Sequence, residues 1–374
     1  MVSIARATLV FEWRRYLAAV LAVTFAGLLV VVQLALLLGL FGTVSVVIDR
    51  SGADLWIGFR NTPSVDLGRP IAASSDARAW AHPGVERIER YASAYGDLRR
   101  GDGVPVSVVV HAIDTSSEAL AFAALLSSDA RALLREPDAV LIDTADTRKL
   151  GASVGTVVEI NGKRARIAGV VEGLRAVGGV NVVASFATGR RIAPETSGQA
   201  TFYLVKLRSG FVPAVVAREI TDRAPIPRYS VWPARAFSAQ SQTYWLLESG
   251  AGIGSGFASL LAVMVGIVIT SQTLSAAILA SIKEFAALRA LGVAQRALRA
   301  TVIEQSLWVG AFGLAATAVL TALIAWLGDR WRIALSFPWW LLAGVAALMI
   351  LIAVLSGSLA LRPLLRAEPA SLLR

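Results

Sequence analysis

The arrangement of four long apolar runs, one ahead of and three behind about two hundred residues of soluble composition, constrains this chain more than any other feature. A helix needs about 20 consecutive apolar residues to cross the ~30 Å hydrocarbon layer of a bilayer. Leu17–Phe41, Gly250–Ala280, Val302–Leu327 and Trp339–Leu361 each provide them. The mean hydropathy of +0.63 and the 56% hydrophobic content agree with a membrane protein. The first run reads as a span and not as a cleaved leader, because its apolar stretch exceeds a signal-peptide core and no small-x-small site closes it before Ile48.

Basic residues near the membrane ends set the expected orientation. Arg6, Arg14 and Arg15 precede the first span, Lys283, Arg289, Arg296 and Arg299 lie between the second and third, and Arg362, Arg366 and Arg374 follow the fourth. Four spans put these ten charges on one side, against only Arg330 and Arg332 on the other. The ten should face the cytoplasm, with both termini, which leaves residues 42–249 outside a bacterial inner membrane. The net charge of +10 does not indicate nucleic acid: Thr43–Glu248 carries 24 basic and 21 acidic residues, so most of the excess is juxtamembrane charge facing anionic lipid.

With no cysteine there is no disulfide and no thiolate chemistry. The two histidines, His82 and His111, read as satisfied polar residues, not ligands. No metal is expected, and no set of nucleophile, base and orienter marks a catalytic site. Beyond Glu304 and Gln305 at the start of the third span, no Asp, Glu, Lys or Arg falls inside the apolar cores, and Gln33 and Gln272 are the largest polar side chains there, which argues against a proton relay or ion pathway.

Along the chain, residues 1–15 suit an interfacial helix, and residues 16–48 a first span with a helical extension. Residues 49–235 form a mixed α+β domain that begins after the break at Ser51-Gly52-Ala53-Asp54. Its strands are expected at Leu55–Phe59, Val104–Ile113, Ala139–Ile142, Thr156–Ile160, Ala165–Val171, Asn181–Ser185 and Thr201–Leu207. Asn161-Gly162 between two of them is a type I′ hairpin signal, and Ser116–Leu134 has helical composition. From Ala236 the sequence predicts one uninterrupted helix to Ala280, ~65 Å at ~1.5 Å per residue, whose outer part would be a stalk. Residues 281–300 then form a cytoplasmic segment, 301–328 and 338–361 two further spans around a loop at 329–337, and 362–374 a cytoplasmic tail.

Two glycine features bear on function. Gly250, Gly252, Gly254 and Gly256 have the Gly-x-x-x-Gly spacing that lets helices approach closely, within or between subunits. They are not a nucleotide loop, because Gly-x-x-x-x-Gly-Lys-Ser/Thr occurs nowhere in the chain. Between the second and third spans, Phe285, Leu288 and Leu291 fall near one face of a short amphipathic helix that Gly292 is suited to end.

The run Lys283-Glu284-Phe285-Ala286-Ala287-Leu288-Arg289-Ala290-Leu291-Gly292-Val293 resembles the signature of the MacB/FtsX superfamily of ABC transporter permeases. The tail Arg362–Arg374 resembles that family's C-terminus, Glu304 and Gly313 fit its third span, and Ser51–Ile57 is most like the DevC-type branch. The order of one span, a large outer domain and three spans also matches. The resemblance implies a homodimer or related pair served by two copies of a cytoplasmic ATPase, which holds the ATP and magnesium. Lys283, Glu284, Phe285, Leu288, Arg289, Leu291 and Gly292 would then form the coupling helix that docks on that ATPase. It further implies mechanotransmission to the outer domain and export of an amphipathic cargo, such as a glycolipid or hydrophobic drug, with a periplasmic adaptor and an outer-membrane duct. The rival expectations are a non-transporting regulator of a cell-wall hydrolase and a permease for lipoprotein release or haem export.

Overall fold

The computed structural model describes residues 11 and 13–360, except 101, 177–178, 223–228, 281–286, 288–292 and 332. In chain order, α1 (Trp13–Gly42) is followed by α2 (Val46–Asp49), β1 (Leu55–Phe59), α3 (Ala77–Trp80), β2 (Val85–Arg99) and β3 (Pro105–Ile113). Next come α4 (Ser128–Leu133), β4 (Ala139–Asp143), α5 (Asp146–Leu150), β5 (Val157–Ile160), β6 (Lys163–Val171), β7 (Val180–Ser185) and α6 (Phe186–Ile192). The chain continues through β8 (Phe202–Leu207), α7 (Pro213–Asp222), β9 (Tyr229–Pro233), α8 (Ala234–Leu247), α9 (Gly250–Ala280), α10 (Gln295–Arg330) and α11 (Trp339–Ala360). Two compact units result: Leu40–Gly252, and Met1–Gly39 with Ile253–Arg374.

In the second of these units, α1, α9, α10 and α11 are each long and apolar enough to cross a membrane. Lipid provides no hydrophobic drive between helices, so close backbone approach and interhelical hydrogen bonds hold them. A Cβ on Gly313 would stand 2.5 Å from Val23 Cγ1, and one on Gly27 would stand 2.9 Å from Thr317 Oγ1. At the same contact the Thr24 and Thr317 hydroxyls share their protons between a carbonyl of their own helix, Val20 at 2.8 Å and Gly313 at 2.9 Å, and one of the facing helix, Gly313 and Thr24, each at 3.2 Å. Trp326, Trp331, Trp339 and Trp340, around the α10–α11 connection, are exposed, as suits rings at a membrane interface.

The other unit is a mixed α/β domain in which one long strand belongs to two sheets. The second half of β2 pairs with β3, β3 lies parallel to β7, β7 antiparallel to β4, and β4 parallel to β6. β6 and β5 form a hairpin, and β5 returns to β2 through Leu98↔Ile160 and Arg99↔Glu159, closing a six-stranded barrel. Leu98, Val108, Val110, Val140, Ile142, Ile160, Ile167 and Val182 share its buried core. The first half of β2 pairs with β8, and β8, β1 and β9 complete a four-stranded antiparallel sheet.

Period-two alternation gives that sheet two apolar faces. Leu55, Ile57, Val205 and Leu207 pack with Val216 and Ile220 of α7. Trp56 points the other way, fully buried, with its ring 5.7 Å from Tyr91 and 5.4 Å from Phe202. Burying such a side chain contributes about 1.5–3 kcal/mol, and each edge-to-face pair about 0.5–1.5 kcal/mol more.

All seven expected strands are present, and the Asn161-Gly162 turn has φ of 48° and 74°, the two positive values a type I′ turn requires. Two strands were not anticipated, β2 and β9. Two helical expectations are corrected. Only Ser128–Leu133 of the Ser116–Leu134 stretch is α-helical, because Glu89 accepts hydrogen bonds from the Leu120 and Ala121 amides while Arg131 donates to the Asp114, Ala119 and Ala121 carbonyls. Those backbone groups are therefore engaged outside a helix. The helix expected from Ala236 to Ala280 is two helices, α8 and α9, separated at Glu248 and Ser249.

Candidate functional site

The residues expected to meet an ATPase, Lys283, Glu284, Phe285, Leu288, Arg289, Leu291 and Gly292, lie outside the described residues. Their flanks are described: α9 ends at Ala280, and α10 starts at Gln295 after Ala294 in extended conformation. Of the glycines assigned to helix packing, Gly250, Gly254 and Gly256 meet no described atom within 4 Å of a built Cβ. Gly252 does something else. A Cβ there would collide with the Trp245 and Leu246 carbonyls, so the tight passage from α8 to α9 excludes any side chain at this position. Ser249 completes the break: its hydroxyl donates to the Trp245 carbonyl, and its oxygen accepts from the Gly252 amide at 2.9 Å, as an N-cap does for the helix that follows.

The other connection to the membrane helices, Thr43–Ser45 after α1, meets α8 inside the same unit. Gln242 Nε2 donates to Ser45 Oγ at 2.7 Å, and that hydroxyl donates to Asp49 Oδ2 at 2.7 Å. Ser241 Oγ accepts from the Val65 amide at 3.1 Å, and Gln240 Nε2 donates to the Thr62 carbonyl at 2.9 Å. Trp245 Nε1 donates to both oxygens of Asp66, at 3.1 and 3.2 Å. The polar residues that gave Ala236–Trp245 the look of a solvated stalk thus bind α8 to α2 and to the 62–66 loop.

Both histidines are partnered. His82 Nε2 lies 2.7 Å from Glu219, and its Nδ1 accepts from the Gly84 amide. Asn181 Nδ2 donates to the Arg175 carbonyl, which leaves its Oδ1 to accept from His111 Nε2–H at 2.9 Å. The Nδ1 lone pair of His111 therefore accepts a hydrogen bond from the Tyr91 hydroxyl. Burial, partly opposed by the Asn181 bond, lowers the His111 pKa to about 4, so the ring is neutral at pH 7. Burial raises the Glu89 pKa, against the pull of the Leu120 and Ala121 amides, and lowers that of Arg131. Asp146 is raised to about 6 by burial and by Asp143. Among the described residues, no group of three or more His, Asp or Glu could hold a metal.

The chain joins this α/β domain to four helices long and apolar enough to cross a membrane, and comparison with known proteins identifies the combination. The model of the MacB-like periplasmic core domain matches residues 16–223, over half the chain, and that of the FtsX-like permease C-terminal region matches residues 256–369. The chain is a MacB/FtsX-superfamily permease. Such a permease is the membrane subunit of an ABC transporter and works with a cytoplasmic ABC ATPase. No curated protein matches the sequence. Among solved structures, the periplasmic region of MacB from Actinobacillus actinomycetemcomitans is 15% identical, with a TM-score of 0.38 over 51% of this chain and 94% of that one. The extracellular domain of the ABC-type transporter YknZ from Gram-positive bacteria is 13% identical, with a TM-score of 0.35 over 48% and 100%.

Sequence reading found the family signature of this permease but missed its polar junctions. Ser45, Asp66, Glu89 and Asn181 are ordinary residues in sequence, and their bonds to Gln242, Trp245, Leu120 and His111 span 197, 179, 31 and 70 positions. Only the Ser249-x-x-Gly252 spacing held a local signal, that of a helix start.

Proposed function

We propose that this permease transmits motion from a cytoplasmic ATPase to its α/β domain, and that the motion exports an amphipathic substrate. The observation that carries this reading is the junction at the base of the domain. The two chain segments that lead to membrane helices, Thr43–Ser45 and α8, are hydrogen-bonded to one another through Ser45 and Gln242. A displacement brought by either is therefore shared by both and reaches the sheet through α8, whose Phe237 packs on Phe202 and Trp56. The segment Lys283–Gly292 is the docking helix for the ATPase in this reading, with Phe285, Leu288 and Leu291 in its groove and Glu284 and Arg289 at the rim. A second permease copy completes the complex, and a periplasmic adaptor and outer-membrane duct receive the cargo.

The test is reconstitution with the partner ATPase. The permease alone should hydrolyse no ATP. Phe285→Ala with Leu288→Ala should weaken ATPase binding about thirtyfold, since interface anchors commonly contribute about 2 kcal/mol, and should abolish coupled turnover without removing the protein from the membrane. Unchanged binding and turnover in that double variant would place the docking surface elsewhere. ATP turnover that moves no cargo and instead activates a cell-wall hydrolase would replace export with regulation.

A further inference from the structure

A cavity of ≈ 270 Å³ lies inside the Leu40–Gly252 unit, between the barrel's β2 and β3 and the α2–α8 base. Ser93 and Tyr95 on β2 face it together with Val109 and His111 on β3, which lie opposite them in the strand register. The rings of Tyr91, Tyr95 and Trp245 supply much of its wall, with Val44, Val47 and Val65 completing the apolar part. His111 at the wall is neutral, with both ring nitrogens engaged.

Charge makes the cavity selective. Asp66 is the one acidic residue among its lining residues, and no Lys or Arg is among them. The partners of the Asp66 carboxylate are neutral donors, the Ser64 hydroxyl and the Trp245 indole N–H. A half-buried carboxylate in a cavity that three aromatic residues help to line favours a cation that sheds water on binding, because the carboxylate attracts it and exposed ring faces add to that attraction. An anion would meet Asp66 with no counter-charge.

We propose that this cavity binds an apolar organic cation, a compact positive centre carrying a hydrophobic group, and so names the class of substrate within the export reading on which it rests. Thr43 and Trp245, both lining the cavity, adjoin the two connections to the membrane helices, so occupancy is tied to the junction those connections share.

The experiment titrates the full-length permease, purified in detergent, with benzyltriethylammonium and with benzylsulfonate, an anion of similar size. Calorimetry should detect the cation and no anion binding at matched concentration. Asp66→Asn, which keeps an oxygen for Trp245, should weaken the cation at least tenfold, and Val109→Trp, which narrows the cavity, should weaken it at least tenfold with an unchanged melting temperature. Equal binding of both ions, or wild-type affinity in Asp66→Asn or in Val109→Trp, overturns the proposal. So does absence of cation binding to the wild type. ATP turnover of the reconstituted complex is measured separately, so lost cation binding with intact coupling refutes the cavity alone, and lost coupling with intact binding refutes the export reading alone.

Discussion

Arg131 is 2% exposed and spends its guanidinium on the carbonyls of Asp114, Ala119 and Ala121, while Glu89 holds the amides of Leu120 and Ala121. Arg131→Met would leave those carbonyls without their donor. We expect a loss of about 1–3 kcal/mol, read from denaturant unfolding, the usual cost of leaving a buried polar group unpaired. Glu89→Gln should cost less, because the amide oxygen can still accept one of the two bonds. His111 gives a pH dependence of definite sign. Its folded pKa of about 4 lies below the ordinary 6.5, so the unfolded chain binds more protons between those values. Stability should therefore fall as pH drops from 6.5 towards 4, by up to ~1.4 kcal/mol per pH unit, and His111→Asn should flatten that slope. Thermal unfolding of the full-length protein across that range checks it.

At the level of elements, the strands were legible wherever β-branched residues cluster between turn residues, as in Val180–Ser185. β2 was not, because Glu86, Arg87, Glu89 and Arg90 break up its apolar pattern and its two halves bury different faces in different sheets. The short β9 ends in Pro233, which speaks against a strand until its place at a sheet edge is known. Ser116–Ser127 has the composition of a helix but loses its backbone groups to Glu89 and Arg131, which lie outside that stretch. The proposed coupling segment rests on family resemblance alone. The break between α8 and α9 makes a sharp test: Gly252→Val must displace the end of α8 and should lower substrate-stimulated ATP turnover while leaving ATPase binding intact. Gly254→Val meets no described atom, so lost assembly in that variant would point to a contact with a second copy.

For the whole molecule, the absence of cysteine gives a clean background for measuring topology. A membrane-impermeant thiol reagent added outside should label Ser117→Cys and Glu195→Cys, both exposed in the α/β domain, and should spare Ala294→Cys. The reverse pattern would invert the assigned orientation. The barrel-and-sheet architecture also sets when this protein can fold. β1 is made early, yet Leu55 pairs with Val205 and Pro233, so the four-stranded sheet stays incomplete until the ribosome has passed residue 233. Pairings of such sequence separation are slow and leave hydrophobic strands uncovered meanwhile. The four-stranded sheet can therefore close only after residue 233 has been made, and until then β1 and β8 stay open to mispairing.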